Sequence, residues 1–224
     1  MNCIVTAGPT YEPLDEVRRL INFSTGQLGS ELGNYLVVRG HSVTLLLAQQ
    51  ATWRGEVHAQ QVVSFGTTAD LRARLQILAS KSVEAVFHAA AVSDFAFGKI
   101  WRRLISDELE EIHSGKISSR EGPLLAELIA TPKIIAELRD WFPKAWLGGW
   151  KYELEGTQSD AIAQGEKQLT SNRTNACVVN GRAYGSGFGL VTAPGQWKHL
   201  EDAGKLFGAL EELATRKRSA LPQY

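Results

Sequence analysis

The chain has 224 residues, long enough for one large α/β domain with a well-buried core, and no shift in composition divides it. Lysine plus arginine number 24 and aspartate plus glutamate 24, a formal charge of zero, so no broad basic face points to nucleic acid or anionic lipid. No apolar run approaches the length of a membrane span, and the amino terminus leads straight into strand-like sequence with no targeting segment, so a cytoplasmic protein is expected.

Asn2 to Thr6 is mostly apolar and β-branched, which suits a buried strand of a parallel sheet, and Ala7-Gly8-Pro9-Thr10 stops it. From Ser24 the pattern is helical: Leu28, Leu32 and Leu36 recur every four residues and Tyr35 joins the same face. Ser24 with Gln27 three residues on has the form of a capping box, which predicts the helix start. The intervening loop of about 17 residues is well beyond the usual strand-to-helix connection, and such length usually has a function. It ends in Asn22-Phe23-Ser24-Thr25-Gly26-Gln27-Leu28-Gly29, setting hydroxyls, an amide and glycines at a helix N-terminus. Free N–H groups, the positive end of the helix dipole and close backbone approach at glycine favour an anion there, such as a phosphate. Read blandly, Ser24 is only a cap and the glycines only relieve crowding.

Ser42 to Ala48 reads as a second buried strand, after a helix stop at Arg39-Gly40-His41. Val62 to Phe65 is a short third strand, and Thr67 to Ala79 a helix with Leu71, Leu75 and Leu78 inward. Ala85 to Ala90 is the fourth strand. Strands alternating with helices predict an α/β fold: a Rossmann-like, doubly wound, mainly parallel sheet with helices on both faces. Ligands in such sheets sit beyond the carboxyl ends of the strands, where the first long loop lies. The fourth strand runs into Ala90-Ala91-Val92-Ser93-Asp94-Phe95. Small residues leave room for a flat ligand, and the Asp94 carboxylate can accept from a base or ribose; Asp94 is equally at home as a helix or turn cap.

Phe95 to Gly122 breaks the alternation. Trp101, Leu104, Ile105, Leu109 and Ile112 fit one face of an amphipathic helix, while Arg102, Arg103 and the acidic cluster 107–111 suggest a solvated excursion, read as a mobile flap over 95–122. Thr131-Pro132 predicts another helix start, threonine as cap and proline at the first position, with Ile134, Ile135 and Leu138 on one face. Trp146 to Gly149 is a strand leading to Lys151, a residue suited either to a phosphate or base edge or to simple pairing with Glu153. Ser159 to Leu169 suits a helix and Ala176 to Val179 a strand ending at Asn180. Phe188 to Thr192 and Gln196 to Leu200, around Ala193-Pro194-Gly195, read as a C-terminal antiparallel β-hairpin. A last helix, Ala203 to Arg216, carries Leu206, Leu210 and Leu213 inward, and 217–224 reads as a frayed tail.

Cys3 and Cys177 both sit in strand-like apolar runs with no CxxC or Cys/His spacing, so both are expected in the core. The histidines at 41, 58, 88, 113 and 199 form no HExxH or HxH set, and no protein-held metal site is expected.

The stretch GPTYEPLDEVRRLINFSTGQLG resembles the opening of the phosphopantothenate-cysteine ligase (phosphopantothenoylcysteine synthetase) family. Its members carry a Gly-Gly/Pro-Thr, Glu-x-(Ile/Leu)-Asp-x-Val-Arg, (Ile/Thr)-Asn-x-Ser-(Ser/Thr)-Gly pattern. Three further stretches are similar to the same family in the same order. Ala90 to Phe95 matches its Ala-Ala-Val-(Ser/Ala)-Asp-(Phe/Tyr). Lys116-Ile117-Ser118-Ser119 lies ahead of Thr131-Pro132-Lys133-Ile134-Ile135, and Trp150-Lys151-Tyr152-Glu153 stands where members carry Phe-Lys-Leu-Glu. Together they span nearly the whole chain, implying one ligase domain over 1–216.

In that family CTP or ATP, with Mg2+ on its phosphates, activates the carboxylate of 4'-phosphopantothenate as an acyl nucleotidylate. The amine of cysteine then attacks, a step of coenzyme A biosynthesis. The resemblance implies that Lys116 acts in nucleotidylate formation and that Asn22 holds the acyl nucleotidylate for cysteine. Gly8, Thr10, Ser24, Gly26 and Gly29 would contact phosphates, Asp94 the nucleoside, and Ala90 and Lys151 would belong to the same nucleotide site. Lys99-Ile100 is a rival match for the family lysine; the distance to Thr131-Pro132 favours Lys116. The resemblance also implies a homodimer. Gln27 stands where several bacterial members have lysine, and Asn175 where many have aspartate. Many members are fused to a preceding flavin-dependent decarboxylase; nothing of that half is present here, so no flavin is expected.

An NAD(P)-dependent reductase on the same fold would show GxGxxG after the first strand and an acidic residue ending the second. The first turn is instead AGPTYEP and the second strand ends in Ala48-Gln49-Gln50. A catalytically silent nucleotide-binding or regulatory subunit is a further alternative, against which stand the intact Asn22, Asp94 and Lys116.

Overall fold

A computed structural model describes residues 1–118, 120 and 122–219, with side chains through residue 216. In chain order the first half comprises β1 (Asn2–Ala7), β2 (Tyr11–Pro13), β3 (Arg19–Ile21), α1 (Gln27–Val38), β4 (Ser42–Ala48), β5 (Gln61–Phe65), α2 (Thr68–Leu78) and β6 (Ala85–His88). The second half comprises β7 (Phe95–Arg103), β8 (Leu109–Glu111), β9 (Leu124–Ala130), α3 (Ile134–Trp141), β10 (Trp146–Tyr152), α4 (Gln158–Ser171), β11 (Ala176–Asn180), β12 (Phe188–Ala193), β13 (Gln196–Leu200) and α5 (Ala203–Ser219).

The expected doubly wound α/β architecture is present. An eight-stranded sheet has the order β13-β12-β11-β10-β6-β1-β4-β5. From β11 to β5 the pairing is parallel, and β12 and β13 add the antiparallel edge read from the hairpin pattern. Side-chain alternation along β1 divides the core between two faces. Cys3, Val5 and Ala7 pack with Leu32 and Leu36 of α1 and Leu206 and Leu210 of α5. Ile4 points the other way, among Leu71 and Leu75 of α2 and Ile134 and Leu138 of α3. Farther along that second face α4 covers Cys177 and Val179. Both cysteines are buried and free, and burial pushes each thiol up to about 12, so neither supplies a thiolate.

Several local expectations are corrected. The capping box at Ser24 does not form. Helix α1 is capped by Gly26 at φ 80, and the Gln27 N–H is taken by Thr25 Oγ1 at 3.2 Å. Thr131 does not cap α3; its hydroxyl donates to the Ser93 carbonyl, and Lys133 is the N-cap, without a side-chain bond. The first long loop contains the β2–β3 hairpin, with the Arg19 guanidinium 4.5 Å above the Tyr11 ring.

The amphipathic helix suggested for 101–112 is absent. β7, β8 and β9 instead form a three-stranded antiparallel sheet, order β8-β7-β9, in which Phe95 pairs with Ala130 and Trp101 with Leu125. Several of its apolar residues, including Leu109, Leu128 and Ile129, are half exposed. Helix α5 runs three residues into the expected tail, to Ser219. Residues 220–224 of that tail, and Ser119 of the lysine motif, lie outside the described residues.

Candidate active site

Beyond the carboxyl ends of β1, β6 and β10 lies a cavity of about 1010 Å³. Three chain segments build most of its wall: residues 22–29 entering α1, residues 88–94 leaving β6, and residues 133–135 opening α3; β10 and α4 close it. Asn22 joins the first two segments, its Nδ2 donating to the Val92 carbonyl at 3.1 Å. The two helix N-termini carry no side-chain cap from their N-cap residues, and α1 has no acidic residue in its first turn. Both ends turn their positive dipole end to the same space, α1 with its Gln27 N–H taken by Thr25 and α3 with Glu137 in its first turn.

Close approach explains the glycines. A Cβ on Gly29 would lie 2.7 Å from Ala7 Cβ and 3.0 Å from the Thr6 carbonyl oxygen. One on Gly26, at φ +80, would lie 3.0 Å from Ala51 Cβ and 3.3 Å from Gly8 Cα. Only a chain without side chains here can lay the start of α1 on the end of β1. The Thr25 carbonyl completes the seat by accepting the N–H groups of Thr52 and Trp53 at 3.1 and 3.0 Å.

Asn22, Ser24, Gly26, Gly29, Ala90, Asp94 and Lys151 all line the cavity, so the structure gathers most of the residues singled out in the sequence. Gly8 and Thr10 lie behind its wall. The Gly8 carbonyl accepts the Ala91 N–H at 3.0 Å, and the Thr10 N–H donates to the Ala91 carbonyl at 3.1 Å. Thr10 is fully buried, its hydroxyl bonded to Thr68 at 3.1 Å and accepting the Ser93 N–H at 2.8 Å. These bonds extend the β1–β6 pairing and hold the segment that carries Asp94.

Lys116 is exposed on the arm that follows β8 and is not part of the wall. Lys99, its rival, sits on β7 and pairs with Glu111 at 2.8 Å. Asp94 is ion-paired with Lys133, and Lys151 with Glu153 at 2.9 Å, the simple pairing considered for it. Asn175 is a structural residue: its Oδ1 accepts from Arg139 at 2.8 Å and from the Leu147 N–H at 2.9 Å. Gln27 lines the cavity and donates to Glu31 at 2.7 Å. Among the described residues, no group of three or more His, Cys, Asp or Glu side chains is placed to hold a metal ion, and no helix is long and apolar enough to cross a membrane.

The profile of the DNA/pantothenate metabolism flavoprotein C-terminal domain family matches residues 1–195. The chain belongs to that family. It is 29% identical over 185 residues to the coenzyme A biosynthesis bifunctional protein CoaBC of Thermococcus kodakarensis, covering 82% of this chain and 42% of that one. The chain thus spans less than half the length of this curated relative. The crystal structure of the DNA/pantothenate metabolism flavoprotein from Streptococcus pneumoniae superposes with a TM-score of 0.83 at 24% identity, over 96% of this chain and 99% of that one. A Cab2 variant in complex with phosphopantothenate-cysteine has the same fold, with a TM-score of 0.71 at 19% identity, over 97% and 86% of the two chains.

Within this member of the flavoprotein C-terminal domain family, sequence reasoning missed three wall residues. Lys133 at the start of α3 and Lys167 on α4 join Lys151 to give the cavity a cationic lining, with Asp94 the carboxylate among the described lining residues. Single lysines on a helix carry no pattern of their own; only the sheet order brings α3 and α4 to the mouth of β6. His88 is the third. It is 5% exposed, and burial lowers its pKa to about 4, so the ring is neutral at physiological pH.

Proposed function

We propose that the chain is a phosphopantothenate-cysteine ligase, joining 4'-phosphopantothenate to cysteine through an acyl nucleotidylate formed from CTP or ATP. The observation that carries this reading is the Asn22–Val92 hydrogen bond, which draws two separate motif stretches together on one cavity with a cationic lining. Family membership and the phosphopantothenate-cysteine held in the Cab2 complex, which is the product of such a joining, support the same chemistry.

In the first step a carboxylate oxygen of phosphopantothenate attacks the α-phosphorus, and the bond to pyrophosphate breaks. In the second, the cysteine nitrogen bonds to the acyl carbon, the nucleoside monophosphate leaves, and the amine releases its proton to solvent. Negative charge grows on phosphate and acyl oxygens in both steps. The α1 and α3 N-termini with Lys133, Lys151 and Lys167 are donors held in place for that charge. Asn22 is placed at the junction where its amide can hold the acyl carbonyl. A lining with one carboxylate, itself paired, suits Mg2+ carried on the nucleotide phosphates, where it neutralises charge, more than a cation held by side chains.

Lys116 acts in nucleotidylate formation when the part of the arm that follows β8 closes on the cavity. Residues 1–216 work as one ligase domain, in a cytoplasmic homodimer. Small molecules are its substrates. Pyrophosphate release by the purified protein with Mg2+ and 4'-phosphopantothenate, comparing CTP with ATP and with or without cysteine, tests the reading. Release with one nucleotide, followed by a cysteine adduct in the mass spectrum, is the expected result. Silence with both, from folded protein that binds nucleotide, would replace it with a binding subunit.

A further inference from the structure

His88 ends β6, and the pleat sets it beside Thr6, its register partner on β1, on the face covered by α2 and α3. The fully buried Thr6 hydroxyl accepts the Ala90 N–H at 3.1 Å, and among the described residues the acceptor within reach of its own proton is His88 Nδ1, 3.0 Å away. A neutral imidazole whose Nδ1 accepts carries its proton on Nε2, and ring geometry turns that nitrogen away from Thr6. Among the described residues no protein group accepts from Nε2. The residue is almost fully buried, yet it lines the cavity.

The surroundings select the kind of group Nε2 meets. Phosphates are drawn to the lysines and helix N-termini. His88 is neutral and is followed by Ala89, Ala90 and Ala91, whose small side chains also line the cavity and leave room beside it. We propose that the His88 Nε2–H donates a hydrogen bond to an acceptor atom on the nucleoside part of the triphosphate, making His88 a specificity-determining residue; this rests on the ligase reading above. Base carbonyls, ring nitrogens and ribose oxygens satisfy such a donor. An exocyclic amine facing it does not, since two donors then oppose each other in a buried place.

The test is an NMR titration of the full chain labelled with 15N at histidine and glycine, the His88 peaks assigned with His88→Gln. The free protein is expected to show the Nε2–H tautomer. CTP or ATP with Mg2+ shifts the His88 Nε2 peak, whereas pyrophosphate with Mg2+ shifts the Gly26 amide and leaves His88 in place. In turnover, His88→Leu raises the nucleotide KM about tenfold with kcat within about twofold, and His88→Gln, whose amide is again a donor, recovers most of it. A nucleotide that shifts the Gly26 amide while His88 stays unmoved overturns the inference and leaves the ligase reading standing. No response of either residue to any nucleotide overturns both.

Discussion

Asp15 Oδ2 accepts the Ile117 N–H at 3.2 Å across 102 residues of chain. Arg18 closes the same contact, pairing with Asp15 and donating to the Ile117 carbonyl at 2.6 Å. Asp15 also accepts the N–H groups of Val17 and Arg18 at 3.0 and 2.8 Å, and the Arg18 guanidinium holds its carboxyl well below the usual carboxylate range. The β2–β3 turn is thereby buckled to the arm residue next to Lys116.

Asp15→Asn keeps the shape and removes the charge that binds Arg18. Hydrogen exchange of the 114–118 segment should rise, and pyrophosphate release should fall by roughly tenfold, since charge-assisted bonds are about twice as strong as neutral ones. Unchanged exchange at 114–118 would show that other contacts hold the arm.

Asn22→Asp puts an oxygen where the Nδ2 donor faces the Val92 carbonyl. Product formation should drop about a hundredfold or more, the scale set by loss of one oxyanion donor, while pyrophosphate release remains measurable. Lys116→Ala should suppress pyrophosphate release itself. Equal loss of both half-reactions in Asn22→Asp would refute this division of roles.

Gly26→Ala forces a Cβ into left-handed backbone at φ +80, and Gly29→Ala drives one against Ala7 and the Thr6 carbonyl. Each should lower stability by about 1–3 kcal/mol, read as a lower urea midpoint at constant m-value. A parent-like midpoint for Gly26→Ala would mean that the α1 cap slides freely, contrary to its packing on Gly8 and Ala51.

His88 has a folded pKa of about 4 against an ordinary 6.5. Between those values the unfolded chain binds more protons than the folded one, so the contribution is complete above pH 6.5 and is lost as pH falls to 4. Its full size is on the order of 3 kcal/mol. Denaturant melts from pH 7 to 4 should show a shallower decline for His88→Gln than for the parent. Parallel curves would place the acid sensitivity elsewhere.

Much of this protein is legible locally. Alternating strand and helix patterns foretell the parallel sheet, the inward leucines of α1, α2 and α5, and the terminal hairpin, because burial of one stripe or one run is written in nearest-neighbour spacing. The stretches at 22–29, 90–94 and 150–152 likewise meet at one cavity, since loops leaving the same ends of adjacent parallel strands share that edge, whereas Lys116 stands outside its wall.

Other features depend on residues far apart in the chain. Residues 101–112 carry a helix-like apolar spacing, yet the end of β7 turns back to pair with β8 and is held on its other side by β9, whose residues lie more than twenty positions away and are invisible to a periodicity. Ser24 and Thr131 are good caps by composition; the seat of Gly26 on Gly8 and the reach of Thr131 to Ser93 decide otherwise. Thr10, Lys133, Lys167 and His88 acquire their places only when β6 inserts between β1 and β10. By itself the sequence determined which segments are strands or helices around the sheet and which motifs lie near its edge, because those follow from local spacing. The tertiary structure alone decided which side chains share the cavity and which support it from behind, because contacts and burial depend on pairing between distant segments.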